Sequence, residues 1–298
     1  MVSCRPPLRA SPALGLRRRI LPVMSDYDPV AFDAFEAAGW STKEAAGYDA
    51  LAGRVTSRLA DPLLDAVGAG PGKRVLDIAT GPGYVAARAA ERGADSVGLD
   101  FSETMLAFAR SRSPNVEFVR GDATELPFPD GSFDATTCAF LLLHLGRPEA
   151  AVVEAARVLA PEGRAAFSVW DEPSRCRWLG VVFDAFTVAG ALPPPDLPHG
   201  PPIFRFADDG EFTRLLTDAG LADVTIETIE FPLRLTSGDE LWNGLVNGSV
   251  RVRPLIIGQS CEMQRTIRMH FDELVEGYRS EDGYAVPVSV KLASARKP

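Results

Sequence analysis

The sequence of 298 residues is poor in cysteine, histidine and lysine, and it has no excess of positive charge. Its four cysteines, Cys4, Cys138, Cys176 and Cys261, lie far apart and form no C-x-x-C pair and no cluster with histidine. Neither a disulfide framework nor a zinc site is expected from such spacing, and a cytoplasmic location suits it. No apolar run approaches the roughly 20 residues that a membrane span needs. Lysine and arginine number 31 against 40 acids, a formal charge of −9, so nucleic acid is not an expected partner. What is present is an ordinary globular mixture, 46% hydrophobic and 24% charged. That supports a packed core rather than disorder. At roughly 150 residues per domain, the length fits one large domain or a domain with an appendage.

The charge is unevenly placed. Residues 1–24 hold Arg5, Arg9, Arg17, Arg18 and Arg19, no acid and four of the 24 prolines. The rest carries 26 basic against 40 acidic residues, a net −14. An arginine-rich, acid-free start can be a transit peptide. With four lysines against 27 arginines and abundant alanine, glycine and proline, the bias suits a GC-rich bacterial genome. The expectation is therefore a disordered extension, or a start placed upstream of the true one at Met24.

Periodicity divides the remainder. Residues 25–70 read as a helical cap, with Asp28-Pro29 as N-cap and N1 and with capping-box spacing at Ser41 and Glu44. Residues 71–170 alternate short apolar runs with helices of about ten residues, the pattern of a parallel sheet covered on both faces. Strands are expected at 74–79, 95–99, 116–120, 133–139 and 164–170. The proline-rich stretch 171–207 breaks this rhythm and reads as a lid or binding insertion. Residues 208–298 supply a helix capped by Asp208, a strand at 224–235, a helix at 260–277 and a last strand within 285–294. The fold class is α/β: a Rossmann-like, doubly wound, mostly parallel sheet of seven strands with an antiparallel last strand, plus N-terminal helices and a lid insertion after strand five.

The chemistry concentrates in V-L-D-I-A-T-G-P-G-Y-V-A, residues 75–86, between a strand and a helix. Gly81 and Gly83 allow tight turning and close backbone approach to a ligand. With Ala86 they satisfy the loose dinucleotide pattern, and Asp100 ends the next strand where a ribose-binding carboxylate belongs. A nicotinamide-dependent oxidoreductase therefore competes. Against it stand Asp77 inside the first strand, Tyr84 in place of a small residue, and G-D-A-T-E-L-P-F-P-D-G-S-F-D at residues 121–134.

This combination resembles the class I S-adenosylmethionine-dependent methyltransferases. It looks most like their ubiquinone/menaquinone-biosynthesis branch, which acts on small molecules. The match covers roughly residues 70–170, with looser similarity at Trp40, Tyr48 and residues 286–295. The resemblance implies S-adenosylmethionine as cofactor, yielding S-adenosylhomocysteine. Asp77, Ala79, Gly81 and Gly83 would lie along its methionine part and Asp100 on its ribose. Phe101 and Met105 would flank the adenine, Asp122 and Ala123 would meet its edge, and Ala139 and Phe140 would line the methyl side. No metal is implied.

The acceptor would be a small phenol, quinol or polyketide-like compound with an O, C or N nucleophile. His144, in L-L-L-H-L after the fourth strand, is the candidate general base. Trp40, Tyr48, Trp170, Trp178 and His199 are candidate substrate contacts. Each assignment has a plainer counterpart: turn glycines, Asp100 as a helix cap, Asp122 as a turn residue, His144 packing a loop, and Trp40 and Tyr48 in the core. A methyltransferase-like binding module without catalysis is a third reading.

Overall fold

A computed structural model describes residues 27–42 and 45–298. The arginine-rich start and Glu44 lie outside them. The N-terminal cap comprises α1 (Pro29–Thr42), α2 (Ala45–Tyr48), α3 (Arg54–Thr56) and α4 (Ala60–Val67). Asp28 Oδ1 accepts from the backbone N–H of Val30 and Ala31, the expected cap. Ser41 corrects the reading of a second cap. It lies inside α1 and its hydroxyl donates to the Ala37 carbonyl. The helix thus runs through a serine that had looked like a start signal.

The core alternates as expected: β1 (Arg74–Ile78), α5 (Tyr84–Glu91), β2 (Asp95–Asp100), α6 (Glu103–Arg112), β3 (Glu117–Arg120), β4 (Phe133–Ala139), α7 (Pro148–Val158) and β5 (Leu159–Trp170). There follow α8 (Arg177–Val188), α9 (Asp209–Asp218), β6 (Ala222–Leu235), α10 (Gly238–Gly248), α11 (Val252–Ile257), α12 (Cys261–Glu276), β7 (Arg279–Ser280) and β8 (Gly283–Arg296). The strand order is β3-β2-β1-β4-β5-β8-β6. Strands β1 to β5 pair in parallel, and β8 runs antiparallel to both β5 and β6. An eighth strand, the two-residue β7, pairs with β8 off this path. It is too short to leave a periodic signal.

The central strands are buried on both faces, which explains why β1 reads as continuous apolar sequence. Val75 belongs to the same buried cluster as Leu63 of α4, Val85 of α5, Val182 of α8 and Phe271 of α12. Its neighbours Leu76 and Ile78 join Val152 of α7 and Phe212 of α9 on the other side. The first half of the proposed lid is therefore part of the core: Trp178, Val181, Val182 and Ala185 of α8 are buried. The order reverses between β1 and β4, so a crevice opens at their carboxyl ends, where open α/β sheets bind ligands.

Candidate functional site

The crevice is a cavity of about 350 Å³. One half is built by the turn after β1. Gly81 has φ of 52°, a left-handed value, and a Cβ there would meet nothing within 4 Å. It leaves room beside the backbone for a ligand. Gly83 serves otherwise: with φ of 83°, its Cβ would lie 2.9 Å from Phe118 Cζ and 3.0 Å from Ala109 Cβ. It permits close packing of the turn on β3 and α6 and does not line the cavity. Ala79 and Phe140, the residues just beyond β1 and β4, also have positive φ, 56° and 57°. Such strain, about 1–3 kcal/mol for each non-glycine residue, is typical where a loop must clamp a ligand.

Two buried carboxylates hold this half together. Asp100 Oδ2 accepts from Gly81 N at 2.8 Å and Oδ1 from Ser102 N at 2.9 Å. The β2 end is thereby fastened to the glycine turn, with Asp100 in the cavity wall. Ser102, not Asp100, caps α6. Asp77 lies beside Thr137 in the sheet register. Its Oδ1 accepts the Thr137 hydroxyl at 2.9 Å and its Oδ2 the Thr80 hydroxyl at 2.6 Å. Burial outweighs these bonds and raises the Asp77 carboxyl to about 6. Burial also pushes Asp100 upward, against the backbone donors. Further along, Asp122 is exposed, and its Oδ1 accepts from the backbone and hydroxyl of Thr124. Phe101, Met105, Ala123 and Ala139 also line the cavity.

The other half is aromatic. Phe140 and Trp170 stack with centroids 3.8 Å apart, and Trp178 meets Trp170 edge-on at 5.1 Å. Trp40 lies edge-on to both Tyr48 and His144, at 5.6 and 5.1 Å. All six residues line the cavity, as do Gly244, Gly248, Arg251 and Val252 at the junction of α10 and α11. His199 is exposed and lies outside it.

Two features escaped sequence reasoning. Residues 49–53 form a π-helical turn, and the Asp49 carboxylate accepts from the Tyr84 hydroxyl and from Arg112 at 3.2 Å. Tyr84 at the start of α5 thus ties the cap to the glycine turn, a task no small residue could perform. The second is Glu36, buried on α1, whose Oε2 lies 2.9 Å from His144 Nδ1. A carboxylate in the apolar stripe Phe32, Glu36, Trp40 was the available signal. Among the described residues, no group of three or more His, Cys, Asp or Glu is arranged to hold a metal, and no helix is long and apolar enough to cross a membrane.

The methyltransferase-domain model matches residues 76–167, the segment that carries both carboxylates and the glycine turn. The demethylmenaquinone methyltransferase of Renibacterium salmoninarum is 43% identical over 126 residues, 42% of this chain and 53% of that one. That of Paenarthrobacter aurescens is 32% identical over 189 residues, 61% of this chain and 75% of that one. The chain belongs to the class I S-adenosylmethionine-dependent methyltransferases, in their ubiquinone/menaquinone-biosynthesis branch. It spans about half the length of the first of these relatives. The YcgJ protein from Bacillus subtilis shares the fold of this methyltransferase family member, with a TM-score of 0.54, at 21% identity over 80% of this chain and 98% of that one.

Proposed function

We propose that the protein transfers the methyl group of S-adenosylmethionine to a ring carbon of a demethylmenaquinone-like quinol. One observation carries the reading: a single cavity at the β1/β4 reversal joins the glycine turn and Asp100 to an aromatic wall. The names and 32–43% identity of the two relatives support the choice of a quinol.

The residues suit the cofactor. The open space at Gly81 leaves backbone accessible, and the Asp100 carboxylate keeps acceptor capacity beside the backbone bonds it accepts from Gly81, Phe101 and Ser102, which suits a vicinal diol. Asp77, Ala79 and Gly81 hold the methionine part, Phe101 and Met105 the adenine faces, and Asp122 with Ala123 the adenine edge. When bound, the cofactor supplies an electrophilic methyl group on a sulfonium. Ala139 and Phe140 border the methyl, and the stacked Phe140, Trp170 and Trp178 offer a flat apolar surface to the acceptor ring. Alignment of this kind can contribute roughly 7–11 kcal/mol, and exclusion of water favours a reaction that consumes charge. The cap and residues 171–207 give that cover.

Ligand binding and turnover test the reading. S-adenosylhomocysteine should raise the melting temperature and NADH should not, because a ligand stabilises the state it binds. The reverse pattern would restore the oxidoreductase. With labelled S-adenosylmethionine and a 1,4-naphthoquinol carrying one prenyl unit, label should appear on ring carbon. Label on oxygen or nitrogen, or only with other phenols, would reject the quinol C-methylation.

A further inference from the structure

Glu36 is a carboxylate with an unusual set of neighbours. It is 3% exposed and sits at the cavity wall. Its Oε2 receives the Trp40 indole N–H at 3.1 Å and faces His144 Nδ1 at 2.9 Å. Its Oε1 has no hydrogen-bond partner among the described residues. The nearest cation is Arg251, with Nε 3.8 Å from Oε1. Arg251 is itself held by the Leu143 and Pro201 carbonyls at 3.0 and 2.9 Å. A buried carboxylate left without compensation costs several kcal/mol, so this charge needs a reason to be there.

The chemistry of the contacts supplies one. An ionised carboxylate only accepts, so His144 Nδ1 must carry the hydrogen that fills the 2.9 Å contact. In a neutral imidazole that leaves Nε2 as a lone-pair acceptor, and Nε2 has no partner among the described residues. Arg251 supplies the positive charge that balances Glu36, so the imidazole need not be the counter-ion. Trp40 pins the same carboxylate oxygen from one side and packs edge-on against the His144 ring, which fixes the ring's orientation.

We propose that Glu36 is the positioning residue for His144, holding it as the Nδ1–H tautomer so that Nε2 takes a proton from a hydroxyl of the acceptor. The inference rests on the methyltransferase reading above and adds how that site activates a hydroxylated ring. Nε2 accepts the hydroxyl proton, and the O–H electron pair stays on oxygen and feeds into the ring. The adjacent ring carbon then bonds to the methyl group while the methyl–sulfur bond breaks and leaves its pair on sulfur. The ring next sheds the hydrogen of that carbon as a proton to solvent, and its oxygen recovers the proton from His144. One proton is released per methyl transferred. A carboxylate–imidazole pair without covalent chemistry of its own fits this task.

The test begins without any variant or acceptor. The chain has three histidines, so long-range proton–nitrogen spectra of histidine-labelled protein can be assigned with one His144→Ala control. The expected spectrum shows His144 protonated at Nδ1 and bare at Nε2. Protonation at Nε2 alone would overturn the proposal, whether or not methyl transfer is ever observed. The second arm uses Glu36→Gln, which puts an amide N–H where the carboxylate only accepts, so that the Nδ1–H tautomer is no longer enforced, and removes the charge that stabilises His144 once Nε2 has taken the proton. With the prenylated naphthoquinol, kcat should fall by at least about tenfold with KM and S-adenosylhomocysteine affinity nearly unchanged. Adding Glu36→Gln to His144→Ala should cost nothing more, because the two act as a unit. A smaller loss, or a double variant well below His144→Ala, would refute the pairing. Absence of any turnover by the wild type would reject the quinol reading and leave the tautomer measurement standing.

Discussion

Replacing Asp77 by asparagine should make the protein more stable at neutral pH while weakening cofactor binding. Asp77 is 1% exposed and has no cation beside it among the described residues; its partners are the hydroxyls of Thr80 and Thr137 and the Ala86 backbone N–H. Those hydroxyls rotate, so one can turn to accept from an asparagine amide while the other still donates. The variant keeps the shape and both contacts and removes only the charge.

The carboxyl is raised from 3.8 to about 6 in the folded protein. At 1.36 kcal/mol per pH unit, the folded state loses about 3 kcal/mol once both folded and unfolded forms are ionised. The sign follows from proton counting. Below the unfolded value both states hold the proton and nothing is lost. Between the two values the folded state holds more protons than the unfolded one, so stability falls as pH rises. Above about 6 the full cost is present. Urea unfolding of wild type and Asp77→Asn across this range should therefore give curves that diverge, the variant gaining about 2.5 kcal/mol relative to wild type between about pH 4 and pH 7.5. Taking the difference cancels the other carboxyls, except for Asp100, whose charge opposes that of Asp77. Titration calorimetry on the same samples should show weaker S-adenosylhomocysteine binding. Parallel stability curves would show that the charge at Asp77 is not costly. Unchanged affinity would show that it is not there for the ligand.

Three further substitutions separate binding from packing. Gly81→Ala, at φ of 52° with open space at its Cβ, should cost about 1–2 kcal/mol of backbone strain and reduce S-adenosylhomocysteine affinity by calorimetry. Gly83→Ala pushes a methyl into Phe118 and Ala109; it should lower stability in urea by about 1–3 kcal/mol beyond the strain, with ligand affinity per folded molecule preserved. Tyr84→Phe removes the hydroxyl that meets Asp49. It should cost about 1 kcal/mol or more and expose the cap to limited proteolysis before the sheet unfolds.

The halves of the cavity differ in how openly the sequence declares them. Strands β1, β2 and β4 could be placed to within a residue because each is a short apolar run bounded by glycine, proline or a charged turn. The glycine turn, Asp77 and Asp100 are local to those strands. Their identities follow from what a turn at a parallel-sheet edge demands, positive φ at Gly81 and acceptors at the strand ends. Ser41 misled because a serine three residues before a glutamate is a cap only where a helix begins. That depends on whether the preceding helix stops, and α1 does not stop until Thr42. The residues contributed by α10 and α11 carry no motif at all. They reach the cavity because the C-terminal segment folds back over the cap, which no window of ten or twenty residues can reveal.

The acceptor half is long-range in a stricter sense. Glu36 and His144 are separated by 108 positions, and so are Leu143 and Arg251. Helix α1 and Tyr27 just before it are fastened to the loop after β4 by three polar contacts in a row. The Tyr27 hydroxyl donates to the Gly146 carbonyl, Gly146 N–H donates to Asp33, and Glu36 meets His144. The first two hold the helix in place, and the third uses that placement to orient a ring nitrogen. On the role proposed for His144, docking of the cap and preparation of the base are the same event. A substitution that loosens α1, such as Asp33→Ala, should therefore lower kcat for the quinol without touching any residue on the cofactor side. The cofactor half would survive it, because Gly81 is bonded to Asp100, Asp100 to Ser102, and Asp77 to Thr80 and Thr137, and none of those bonds passes through α1.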